Sequence, residues 1–126
     1  MKKILIVIAD YYEDISSLLL KSAKNNLNNF SLKVIRVPGV FEIPITISKN
    51  IKKYDAFIAL GCVIKGETPH FDFISSASTH AIMNLSVVSK KPIGNGIITC
   101  LNMKQAKARG KKGEEAAQAI ISVLYQ

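Results

Sequence analysis

Apolar and polar positions alternate between two textures along this chain. Short apolar runs rich in β-branched residues occur at Ile4–Ala9, Leu32–Val37, Ala56–Ile64 and Ile93–Cys100. They are near-continuous, which is how strands buried on both faces read. The intervening segments carry helical spacing instead. Ile15, Leu18, Leu19, Ala23 and Leu27 form one stripe on a helix that Asp14 could start. Ile43, Ile47 and Ile51 repeat every fourth residue in a shorter helix after Glu42, and Phe73, Ala77, Ala81 and Leu85 do the same in a third. Met103–Ala108 predicts a short helix and Glu114–Tyr125 a final amphipathic one, with Glu114 and Glu115 suited to the positive end of its dipole.

The order βαβαβαβα with short connections predicts an α/β fold: a three-layer α/β/α sandwich with a four-stranded parallel sheet, flavodoxin-like. With no repeat, linker or low-complexity stretch, residues 1–126 read as a single domain, in line with a usual domain length of roughly 100–200 residues.

Composition narrows the function classes. At 48% hydrophobic and 21% charged, the chain is neither disordered nor fibrous. Lys+Arg 17 against Asp+Glu 9 leaves a net charge of +8, and only Arg36 and Arg109 are arginines. Such an excess suits an anionic partner: nucleic acid, a membrane surface or a phosphorylated metabolite. Cys62 and Cys100 lie in apolar runs without metal-ligand spacing and read as buried thiols of a reducing compartment. The first apolar run stops at Asp10, too short for a signal peptide or a bilayer span, so the expectation is a soluble, cytoplasmic protein.

In an open parallel sheet, ligands bind beyond the carboxyl ends of the strands. Here those ends supply Ala9–Asp14, Val37–Glu42, Gly61–His70 and Thr99–Asn102. The third segment turns at Gly66 and enters a helix, with Thr68 suited to the cap and Pro69 to the first helical position. Free amides at Glu67 and Thr68 with the helix dipole would bind an anion, although an ordinary capped helix start explains the same residues. The stretch is neither GxGxxG nor a Walker loop. His70, in the first helical turn, is placed to exchange protons; a hydrogen-bonded histidine near a cap is the plain alternative. Glu42 could accept from a polyol or simply serve the helix that follows it. Tyr11 and Tyr12 could stack on a planar ligand. The basic stretch Lys104, Lys107, Arg109, Lys111 and Lys112 lacks interleaved aromatics, which favours a solvated or phosphate-facing loop over nucleic acid.

Two stretches, Pro38-Gly39-Val40-Phe41-Glu42-Ile43-Pro44 and Gly61-Cys62-Val63-Ile64-Lys65-Gly66-Glu67-Thr68-Pro69-His70-Phe71-Asp72, closely resemble the lumazine synthase family of riboflavin biosynthesis. The likeness runs from about Ile4 to Ile121 and includes Ala106-Lys107-Ala108-Arg109-Gly110 and Lys112-Gly113. It implies condensation of 5-amino-6-(D-ribitylamino)uracil with 3,4-dihydroxy-2-butanone 4-phosphate, without cofactor or metal. By motif, Tyr11 stands for the family's stacking Phe, while Val40, Phe41 and Glu42 would hold the ribityl chain. Cys62, Val63 and Ile64 would line the pyrimidine, with Asn95 added across a subunit boundary where the family commonly has an aromatic ring. Glu67, Thr68 and a neighbour's Arg109 would bind the phosphate, His70 would move protons, and Lys112 matches an accessory lysine. Tyr12 replaces a usual Asn. The resemblance further implies small-molecule substrates, functional coupling to riboflavin synthase, and no nucleic-acid or membrane partner. It implies self-association as well, for which the short N-terminus and short Arg109–Lys112 loop suggest a homopentamer rather than a shell.

Other classes stay open on sequence. A lumazine- or flavin-binding relative without turnover would keep the fold. A response-regulator-type domain would need an acceptor Asp at the end of the third strand, where Gly61 and Cys62 stand. A basic nucleic-acid binder would show steeply salt-dependent affinity.

Overall fold

The computed structural model describes residues 1–66 and 69–126. Four strands, β1 (Lys3–Ala9), β2 (Ser31–Val37), β3 (Ala56–Ile64) and β4 (Ile93–Cys100), form one sheet in the order β2-β1-β3-β4. All three pairings are parallel. Five helices connect and cover it: α1 (Glu13–Lys24), α2 (Ile43–Lys49), α3 (His70–Ser89), α4 (Met103–Ala108) and α5 (Lys112–Leu124). A 3₁₀ turn over Val40–Glu42 precedes α2.

Strand alternation divides the core in two. Ile4, Ile6 and Ile8 of β1, with Ile58, Leu60 and Cys62 of β3, face Ile15, Leu19 and Ala23 of α1, Ala106 of α4, and Ala116, Ala117 and Ile120 of α5. Leu5, Val7, Ala9, Phe57 and Ala59 face Ile43 and Ile47 of α2 and Ile82 of α3. The result is the three-layer, flavodoxin-like sandwich, whose strand order reverses between β1 and β3, the place where a ligand crevice opens in such sheets.

Several local expectations change. Burial on both faces holds for the central strands β1 and β3, whereas β2 and β4 are edges with alternating exposure. Of the expected stripe of α3, Phe73 is 66% exposed and Ala77 is exposed, Ala81 is half-buried and Leu85 packs on the core; Ile74, Ser78 and Ile82 face the sheet. The Ser78 hydroxyl donates to the Ile74 carbonyl, which removes the cost of a buried polar group and lets a serine occupy the inner face. Leu18 is exposed while Ser16 and Leu20 are buried. Helix α1 starts at Glu13, one residue before Asp14, so both acids lie in its first turn. Helix α5 starts at Lys112, two residues early, because Gly113 allows its first turn to lie on α1: a methyl group there would overlap the Leu19 carbonyl. Pro69 takes the cap position of α3 and His70 the first helical one; the expected Thr68 cap lies outside the described residues.

Candidate active site

The carboxyl ends of β1, β2 and β3 meet the start of α3 around a cavity of about 300 Å³. Its walls come from Tyr11 and Tyr12 after β1, Gly39, Val40 and Phe41 after β2, Cys62, Val63 and Ile64 at the end of β3, and His70 and Ile74 of α3. Buried Val40 anchors the 3₁₀ turn, leaving Phe41 exposed above the cavity. Gly61 is needed behind it, because a Cβ there would press on Val40 and Ala9. Among the described residues, none approaches the position a Cβ on Gly66 would take. Of the residues singled out in the sequence, Tyr11, Val40, Phe41, Cys62, Val63, Ile64 and His70 line this one cavity. Glu42 borders an adjoining apolar groove of about 450 Å³ with Phe41, Pro44, Ile45, Ala77 and Ala81, and its carboxylate folds over Gly39. Glu67 and Thr68, expected to take the phosphate, lie outside the described residues.

Asn95, Arg109 and Lys112 are not part of that cavity. They line a second one of about 670 Å³ along the free edge of β4, with Thr99, Lys111 and Glu115. Phe57 N–H donates to the Pro92 carbonyl and Lys65 N–H to the Cys100 carbonyl, so even-numbered residues of β4 point their backbone at β3. Ile97 and Thr99 therefore point theirs outward. The Asn95 side-chain oxygen accepts from the Ile97 N–H at 3.0 Å, and Arg109 Nη1 donates to the Thr99 carbonyl at 3.0 Å. Both side chains cover the open edge of the sheet, a position that otherwise invites strand pairing. Arg36, the other arginine, is paired with Asp10 at 2.9 Å across the ends of β1 and β2. Lys112 and Glu115 approach to 3.7 Å in an exposed pair one helical turn apart, a type that contributes little.

The cavity's titratable walls are tuned by burial. Cys62 is pushed up to about 12, first by burial and then by the neighbouring Cys100 thiol. It is a neutral, apolar wall rather than a nucleophile. Burial, then the adjacent Tyr11, also raises Tyr12 above the usual phenol range.

The sequence motifs did not single out Gly39 or Ile74 as lining residues. Gly39 precedes the Val40–Glu42 turn, and Ile74 follows His70 by one helical turn, the spacing that would have indicated it.

Comparison with known proteins is decisive for kinship. The family model described as 6,7-dimethyl-8-ribityllumazine synthase matches residues 1–126. The chain belongs to the 6,7-dimethyl-8-ribityllumazine synthase family. It is 44% identical to 6,7-dimethyl-8-ribityllumazine synthase 1 of Rhodopseudomonas palustris, over 97% of this chain and 83% of that protein. It is 42% identical to the synthase of Methylorubrum extorquens, over 97% and 79%, and 43% identical to that of Bartonella bacilliformis, over 96% and 87%. Among the described residues, no helix of this lumazine synthase family member is long and apolar enough to cross a membrane.

Proposed function

We propose that the protein condenses 5-amino-6-(D-ribitylamino)uracil with 3,4-dihydroxy-2-butanone 4-phosphate, giving 6,7-dimethyl-8-ribityllumazine, phosphate and water. One observation carries this reading: in a chain of this family, His70 lines one cavity with Tyr11, Phe41 and Cys62–Ile64. Tyr11 stacks on the pyrimidine, and the end of β3 lines its edge. Val40, Phe41 and Glu42 hold the ribityl chain, with the Glu42 carboxylate accepting from its hydroxyls. His70 moves protons between the amine and carbonyl groups that combine. Glu67 and Thr68 take the phosphate of the four-carbon substrate. Holding two reactants in one cavity can itself supply about 7–11 kcal/mol of barrier lowering.

Arg109 completes the phosphate site from a second copy of the chain, with Asn95 and Lys112 beside it. The separation of the two cavities supports this division, since Arg109 leans on its own β4 edge rather than toward His70. A planar guanidinium matches a phosphate that lysine would bind less specifically. The exposed Phe41, Ile45 and Phe73 around the α2–α3 groove support self-association, which we read as a homopentamer. Residues 1–126 act as one domain, the compartment is the cytoplasm, and the lumazine product passes to riboflavin synthase.

Mixing the purified protein with both substrates tests the reading. The fluorescent lumazine should accumulate with one phosphate released per turnover. Tight binding of the uracil without product would instead leave a binding protein, and neither binding nor product would overturn the assignment of the cavity.

A further inference from the structure

Tyr11 and Tyr12 are adjacent after β1 but are held very differently. Tyr11 is 76% exposed, whereas Tyr12 is partly buried against the cluster formed by β1, β3, α1 and α5. The Tyr12 backbone is pinned too: it caps α1, and its carbonyl accepts from Ser16 N–H at 2.9 Å. Its side chain is a wall shared by two cavities. One is the 300 Å³ cavity with Cys62 and His70; the other, of about 360 Å³, is lined by Glu13, Asp14, Met103 and Lys107. The Tyr11 ring meets that wall edge to face, with ring centres 4.9 Å apart and planes at 80°. This is a favoured arrangement of two aromatic quadrupoles. Without it, an exposed tyrosine spreads over several rotamers and must give up that freedom when a planar ligand stacks on it.

We propose that Tyr12 is a positioning residue: packed against the core, it preorders the Tyr11 ring for stacking on the planar heterocycle of the substrate. This rests on the reading of the cavity as the pyrimidine site. Tyr12 acts through Tyr11, so its contribution falls on substrate affinity rather than on bond formation.

Kinetics and equilibrium binding of 5-amino-6-(D-ribitylamino)uracil should be compared in wild type, Tyr12→Leu, Tyr12→Phe, Tyr11→Ala and the Tyr11→Ala/Tyr12→Leu double variant. Tyr12→Leu should raise KM and Kd by about 2- to 10-fold, the range of one edge-to-face pair, with kcat nearly unchanged. Tyr12→Phe keeps the ring and should keep the affinity. In the Tyr11→Ala background, Tyr12→Leu should cost nothing further, because the pair it breaks is already gone. An undiminished cost there, or a Tyr12→Phe defect as large as that of Tyr12→Leu, overturns the proposal.

Relaxation of ring-labelled tyrosines in the ligand-free protein gives a second readout. The order of the Tyr11 ring should fall in Tyr12→Leu and persist in Tyr12→Phe. If wild type binds no uracil substrate, the reading of the cavity fails. The relaxation measurement still decides about Tyr12, since unchanged Tyr11 order in Tyr12→Leu overturns its positioning role.

Discussion

His70 occupies the first position of α3 and lines the cavity, and a proton-transferring side chain must sit within hydrogen-bond reach of the reacting groups. His70→Ala should slow turnover by about 10²-fold, the lower end of general acid–base effects, and leave the remainder to proximity. Loss of all activity in a folded variant, seen in single-turnover product formation, would refute that division. Cys62 makes a separate prediction about pH. An unfolded chain gives up this proton near 9, whereas the folded chain keeps it up to about 12. Above pH 9 the unfolded state binds fewer protons than the native state, so stability falls as pH rises through that window. The contribution is full below pH 9, and its loss has a slope of at most about 1.4 kcal/mol per pH unit. Urea unfolding between pH 8 and 11 should show a steeper decline in wild type than in Cys62→Ala. At this scale His70, Cys62 and Tyr11 were legible because strand-end position and motif both mark them. The burial that chiefly sets the state of Cys62 was legible from its apolar run; the smaller contribution of Cys100 was not, since that thiol is reached only when β3 and β4 pair.

Elements were mostly legible, and their failures share a cause. All four strands fall within a residue of the apolar runs, because branched side chains favour the pleated backbone of a strand, whether it is central or at an edge. Helix α3 was placed correctly but turned wrongly. It carries apolar residues on more than one side, so periodicity could not separate the Ile74–Ser78–Ile82 face from the Phe73–Ala77–Ala81 face. The α1–α5 contact depends on Gly113, whose motif was legible in the sequence but whose packing role was not. Gly113→Ala would force a methyl group onto the Leu19 carbonyl and the Ala23 amide of α1, two backbone groups that cannot move independently. Overpacking of this kind should destabilise the fold by about 1–3 kcal/mol. Chemical unfolding measures it, and a Gly113→Ala variant as stable as wild type would mean that α5 can shift along β4.

For the whole molecule, the decisive feature is that His70 and Arg109 border different cavities of one chain. If each proposed site draws Arg109 from a neighbour, chains with His70→Ala and chains with Arg109→Ala carry complementary defects. Unfolding and refolding them together should produce sites in which both groups are intact, with activity above the sum of the two separate samples. Purely additive activity would mean that each chain builds its site alone. The net charge of +8 takes on a different meaning at this scale. Arg36 is bound to Asp10, and most lysines sit on exposed helices and turns. The cations with a stated task are those on the β4 edge.

The order of elements, the parallel sheet and the strand ends at which a cavity opens follow from sequence alone. They rest on local periodicity, β-branched runs and short connections, which act within a few residues. Tertiary structure alone decided which face of α3 is inside, how Cys62 and Cys100 meet, how Tyr12 braces Tyr11, and why Arg109 and His70 part company. These depend on packing and strand order between distant points of the chain; even the contact between the neighbouring Tyr11 and Tyr12 is set by how Tyr12 packs on the core.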